Sequence, residues 1–284
     1  MSEGDAGPPR AVLIAGPTAS GKSAVAIELA RALDGVVINA DSMQIYAGLR
    51  ILTARPSAEE EATAPHRLYG HVDPARAFSV ADWLADVAPV LGEVEAAGRV
   101  PIFVGGTGLY FEALTKGLAP VPEVADEVRG FWRARAAEVG AEGLHRELLA
   151  RDPVMAARLR STDTQRLTRA LEVIEATGRS LAAWQAMPHS PALVPPETAA
   201  RIVLEPERAV LHERIARRFE AMVAEGAVEE AAAFAARGLA AAMPASRAIG
   251  VAALADVAAG RRSLEEAIER GIVETRQYAK RQST

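Results

Sequence analysis

At 284 residues the chain is long enough for one large or two modest domains, each with a hydrophobic core. Half of it is hydrophobic, yet Asp, Glu, Arg or Pro interrupts every apolar run, which excludes membrane insertion, and the absence of cysteine excludes disulfides, thiolate nucleophiles and cysteine-ligated zinc. A net charge of −5 argues against nonspecific nucleic-acid binding by the whole chain, leaving arginine-dense stretches at Arg158 to Arg169, Arg214 to Arg218 and Arg276 to Arg281 as local candidates or as solvated helix faces.

Residues 1–10 lack the charged start and apolar stretch of a secretory signal and are expected to form a disordered leader, and the absence of cysteine fits a reducing cytoplasm. AVLIAG (11–16) reads as a strand, followed by a glycine-bearing loop and a helix over SAVAIELARAL. VVINA (36–40) is a second strand ending on Asp41. Ser79, three residues before Asp82, marks a capping box for a helix reaching about Gly98, and VPIFVGG (100–106) is a third strand.

From about Lys116 the pattern turns helical, and residues 116–197 read as a helical insertion closed by the Pro-rich connector MPHSPALVPP (187–196). RIVLEP (201–206) supplies a fourth strand, and helices are expected at about 207–225, 227–237, 246–259 and 263–281, the last capped by Ser263 with Glu266. Alternating strands and helices predict an α/β core, 11–115 with 198–284, built on a parallel sheet covered by helices on both faces.

Gly16-Pro17-Thr18-Ala19-Ser20-Gly21-Lys22-Ser23 matches the phosphate-loop pattern between a strand and a helix. Small residues let successive N–H groups turn around a polyanion, the helix N-terminus adds partial positive charge, Lys22 neutralises the outer phosphate, and Ser23 is the candidate magnesium ligand. Nothing in the loop says whether the phosphate belongs to ATP. A phosphate-loop ATPase has an acid at the end of a second apolar strand, whereas VPIFV runs into Gly105-Gly106-Thr107-Gly108.

In a doubly wound sheet the loops at the strands' carboxyl ends converge, so Asp41 and Thr107 are both expected to face the phosphate loop. Asp41-Ser42-Met43-Gln44 offers a carboxylate, a hydroxyl and an amide, and the glycines around Thr107 let the chain approach a ligand. The residues alone point to a phosphate-ester transferase with a carboxylate opposite the phosphates. A small-molecule kinase and an RNA-binding switch stay open as rivals.

GPTASGKS, DSMQIY, RVPIFVGGTGLYFEAL, DTQRLTRALEV and TRQYAKRQ, in this order and spacing, resemble the tRNA dimethylallyltransferase family. PHRLYG (65–70), FSVADW (78–83) and LHERIARRFEAMVAEG (211–226) extend the resemblance from Ala11 to Gln282. It implies a phosphate-loop NTPase-like α/β fold whose insertion grips the anticodon stem-loop of tRNA. It also implies transfer of a dimethylallyl group from dimethylallyl diphosphate, with Mg²⁺, to N6 of the adenosine 3′ to the anticodon, in tRNAs reading codons that begin with U. No membrane or obligate protein partner is implied, and a monomer is expected.

By the same resemblance, residues 16–23 and Arg218 hold the diphosphate, Thr107 meets the leaving oxygen and Asp41 serves the amine. tRNA contacts fall on Asp41, Ser42, Met43, Gln44, Thr107, Arg129, Gln165, Arg166, Leu167, Thr168 and Arg169. The chain departs from the family at Val251 and Ala252, where an aromatic and a basic residue are usual.

Overall fold

Strands buried on both faces need apolar side chains at every position, and the sheet is built from such runs. The computed structural model describes residues 9–241 and 243–282. Its strands are β1 (Ala11–Ala15), β2 (Gly35–Asn39), β3 (His66–Arg67), β4 (Val100–Gly105) and β5 (Ala199–Val203), all parallel, in the order β3-β2-β4-β1-β5.

Alternate residues face opposite layers. Leu13, Val36, Ile38 and Phe103 pack with Trp83, Val87 and Leu91 of the helix Val80–Ala96, while Val12, Ile14, Val37, Ile102 and Val104 pack with Ala26 and Ala30 of the helix Lys22–Ala32. Ile38 and Phe103 are wholly buried, which contributes about 1.5–3 kcal/mol apiece. The capping boxes at Ser79 with Asp82 and at Ser263 with Glu266 are both formed.

A third cluster joins Ile45, Tyr46 and Leu49, just beyond Asp41, to Phe219 and Leu254 of the C-terminal helices. It anchors the segment leaving the end of β2.

Three expectations change. The sheet has a fifth strand, β3, whose two polar residues carry no hydrophobic pattern; it pairs with Val37 and Ile38. β5 begins at Ala199 and stops at Val203, before Glu205 and Pro206. The helix expected over 246–259 is a 3₁₀ turn (Pro244–Arg247) and a helix (Val251–Ala258), divided where Gly250 takes a left-handed φ of 88°. Most of the expected leader lies outside the described residues, but Arg10 is ordered, its N–H bonded to Thr198 O and its guanidinium to Glu95.

Residues up to 115 and from 192 form one unit, and Lys116–Pro191 a second. Val194 belongs to the first: it is buried in the Trp83 cluster and donates to Leu114 O. Taken by itself, the second unit is helical, with Trp132, Leu144, Leu148, Leu167 and Leu171 at its core. No helix among the described residues is long and apolar enough to cross a membrane.

Candidate active site

The parallel sheet puts the carboxyl ends of β1, β2 and β4 side by side, and the candidate site residues follow these ends. After β1 the chain turns through residues 16–21 into the helix Lys22–Ala32. Gly21 sits at the helix N-cap with φ 95°, a left-handed conformation that a side chain resists. Lys22 Nζ donates to Pro17 O at 3.2 Å, folding the side chain back over the loop. Arg218, from the helix Arg208–Ala224, donates to Thr18 Oγ1.

At the end of β2, Asp41 is buried and its backbone is fixed by Asn39, which has no accessible surface. Asn39 Oδ1 accepts the Asp41 N–H at 2.9 Å, and its Nδ2 donates to Asp41 O and Leu68 O. Trp83 Nε1 donates to Asn39 O at 3.0 Å, and the Trp83 ring stacks on Tyr110. The carboxylate oxygen Oδ1 of Asp41 accepts the Met43 N–H at 2.9 Å.

At the end of β4, Thr107 Oγ1 accepts the Ser42 N–H at 3.0 Å and donates to Ser42 Oγ at 3.3 Å. The close seating depends on Gly105: a Cβ there would lie 2.1 Å from Ala40 O. Ser42, next to Asp41, and Thr107 are thereby joined across the two strand ends.

Electrostatics tie these walls to the phosphate loop. Burial lowers Lys22 to a pKa of about 8, partly opposed by the negative charge of Asp41 and reinforced by the Arg218 cation. Burial likewise lowers Arg218, again opposed by Asp41. Burial raises Tyr69, Tyr110 and Tyr278, and Asp41 raises each further. Asp41, Lys22 and Arg218 therefore share one electrostatic neighbourhood, a carboxylate within range of two basic side chains.

Beside the loop lies a cleft of about 670 Å³ lined by Lys22, Arg50, Arg55, Arg214 and Arg218, against Glu60 and Glu225. Five cations to two anions make it an anion-attracting surface on a chain of net charge −5. Neither Asp41 nor Thr107 lines it, so it is the basic approach to the loop and not the whole site.

Some expected site residues are placed differently from a simple contact surface. Gln44 Nε2 donates to Thr53 O and Ala54 O, so its amide braces the 53–54 turn, and Met43 packs against the third hydrophobic cluster. Thr18 has its hydroxyl engaged by Arg218 and its N–H by Gln282. In the helical unit, Leu167 and Thr168 are buried, whereas Gln165 and Arg166 are exposed at the start of the helix Thr164–Thr177. Arg169 pairs with Glu172, and Arg129 with Glu123 and Asp126.

Asn39, Trp83 and Gln282 were not singled out in the sequence. A polar residue closing an otherwise apolar strand is a signal for Asn39, while Trp83 and Gln282 close the motifs FSVADW and TRQYAKRQ without a role legible in either.

With this geometry in place, the relatives can be compared. The family described as IPP transferase matches residues 44–284, and that described as isopentenyl transferase matches 9–73. A tRNA dimethylallyltransferase of Agrobacterium fabrum is 54% identical over 274 residues, covering 96% of this chain and 92% of its own. One of Methylocella silvestris is 58% identical, with 96% and 90% covered.

Among solved structures, the full-length tRNA isopentenylpyrophosphate transferase of Bacillus halodurans is similar with a TM-score of 0.66 and 38% identity, covering 95% of this chain and 84% of that one. A eukaryotic dimethylallyltransferase acting on tRNA is similar with a TM-score of 0.78 and 25% identity, covering 96% and 68%.

Proposed function

We propose a function from one premise: this chain belongs to the tRNA dimethylallyltransferase family, the IPP transferases. It is a prenyltransferase that transfers a dimethylallyl group to N6 of the adenosine 3′ to the anticodon of tRNAs reading codons that begin with U. The prenyl donor is dimethylallyl diphosphate, and the chain acts as a monomer in the cytoplasm. The observation that carries the assignment of roles is the buried carboxylate of Asp41 within electrostatic reach of Lys22 and Arg218.

The adenine amine is a weak nucleophile because its lone pair is delocalised into the ring. Asp41 accepts an N6 proton as nitrogen attacks C1 of the dimethylallyl group. The C1–O bond breaks and its electron pair goes to the bridging oxygen of diphosphate. The Thr107 hydroxyl donates there, turning from Ser42 Oγ, while loop N–H groups, Lys22 and Arg218 stabilise the departing charge in place.

The loop suits a diphosphate in a further respect. Ser20 Oγ is buried without a hydrogen-bond partner in the protein, and a phosphate oxygen would supply one. No group of three or more acidic or histidine side chains that could hold a metal occurs among the described residues. The Ser23 hydroxyl would help to hold a magnesium ion, which would supply charge neutralisation for the diphosphate.

The adenosine is stacked in a stem-loop, so it is flipped out to meet Asp41. Residues 116–191, with Arg129, Gln165, Arg166 and Arg169 exposed or half-exposed, grip the anticodon stem-loop; Leu167 and Thr168 hold that helix to its core. The test is incubation of the purified chain with dimethylallyl diphosphate, Mg²⁺ and unmodified tRNA, followed by nucleoside mass analysis. Dimethylallyladenosine is the expected product. Turnover of ATP without a prenyl donor, and no prenylated nucleoside, would replace this reading with a kinase.

A further inference from the structure

The segment TRQYAKRQ forms the end of the final helix (Leu264–Gln282), and the reaction described above gives it no task. Its last described residue reaches two distant segments of the site. Gln282 Oε1 accepts the Thr18 N–H at 2.7 Å across 264 residues of sequence, and Nε2 donates to Gly106 O at 3.1 Å across 176. The orientation of the amide follows from its partners, since a backbone N–H only donates and a carbonyl only accepts.

The fit at Gly106 is close. A Cβ there would stand 1.9 Å from Gln282 Nε2, so the carboxamide takes the space that any other residue would fill. Thr18 belongs to the phosphate loop and is the residue Arg218 also holds; Gly106 immediately precedes Thr107. One planar amide thus spans the cradle for the diphosphate and the turn carrying the hydroxyl that meets its bridging oxygen. Tyr278, one helical turn back on the same face, lies within reach of the Asp41 charge, which places this helix face toward the site.

We propose that Gln282 is a positioning residue for the prenyl donor: by bridging Thr18 and Gly106 it fixes the separation between the phosphate loop and Thr107. The proposal rests on reading the loop as the donor site. A misplacement near 1 Å between reacting groups lowers rates by about 10²-fold, so a spacer of this kind acts on donor binding and on the chemical step together.

Two substitutions of matched length separate this role from that of a simple tether for the helix end. Gln282→Met keeps length and removes both hydrogen bonds. Gln282→Glu keeps the acceptor for Thr18 but turns an oxygen toward Gly106 O and adds a negative charge beside the diphosphate. The measurements are titration calorimetry with inorganic diphosphate and Mg²⁺, steady-state kinetics with dimethylallyl diphosphate and tRNA, and thermal melting.

Gln282→Met is expected to raise KM for the donor and lower kcat about tenfold each. Gln282→Glu is expected to weaken diphosphate binding about 100-fold, with part of that loss relieved by salt. KM for tRNA stays within about twofold for both, and both melt near the wild-type temperature. Diphosphate binding within about twofold of wild type in both variants, or equal losses in both that follow a lowered melting temperature, would overturn the proposal. A wild-type chain that bound no diphosphate would take down the site reading and the proposal together, whereas an active wild type with indifferent variants sinks the proposal alone.

Discussion

Replacing Asp41 by Asn removes a charge and preserves a shape. The new Oδ1 can still accept the Met43 N–H, and the backbone still meets Asn39, so the loop after β2 is held as before. Loss of the base is expected to lower kcat by about 10²-fold or more, about 2.7 kcal/mol on the barrier. A second effect appears at Lys22, which titrates at about 8 where an ordinary lysine titrates at 10.5. Burial thus disfavours its charged form by about 3 kcal/mol net, with the attraction of Asp41 already included.

Lys22 is cationic below pH 8 and neutral above it, so kcat/KM for the donor, which reports the free enzyme, is greatest below that value and falls on the alkaline side. Without Asp41 an attraction favouring the cation is lost, and this limb moves to lower pH. The assay is single-turnover transfer of labelled dimethylallyl groups to tRNA across neutral to alkaline pH, with diphosphate affinity measured in parallel. Asp41→Asn turning over within about threefold of wild type would remove the base assignment. A limb that stayed in place would remove the electrostatic link between the two walls.

Arg218→Ala takes a cation from the cradle and its hydrogen bond from Thr18, and is expected to lower kcat/KM for the donor about 10²-fold while leaving KM for tRNA unchanged, as read by steady-state kinetics. Asn39→Ala strands Asp41 N–H, Asp41 O and Leu68 O in or near the core, and is expected to cost about 2–4 kcal/mol in denaturant unfolding and to lower kcat as well. Replacing Arg166 and Arg169 together by Ala is expected to raise KM for tRNA and flatten its dependence on salt concentration, with donor affinity unaffected; unchanged tRNA binding in a filter assay would take the arginines out of the RNA contact.

The strands that form the site were legible because β1, β2 and β4 lie inside the sheet and must be apolar on both faces. β3 was not, since a two-residue edge strand of His66 and Arg67 needs only backbone pairing with β2. The phosphate loop and Asp41 announced themselves by spacing and by position at a strand end. The parts that hold them did not: Asn39 acts through four hydrogen bonds to or from residues near and far, and Gln282 through two that span most of the chain. Periodicity reports which faces are covered; it carries no record of which polar group finds which partner. Gln44 shows the converse, a residue prominent in its motif whose amide is spent on local backbone.

The contact between Gly105 and Ala40 has a bearing on how such an enzyme could evolve. Because main chain rests directly on main chain there, any side chain at 105 would push apart the strand ends that precede Asp41 and Thr107. A lineage can therefore vary the side chains around the site while position 105 stays closed to every residue but glycine.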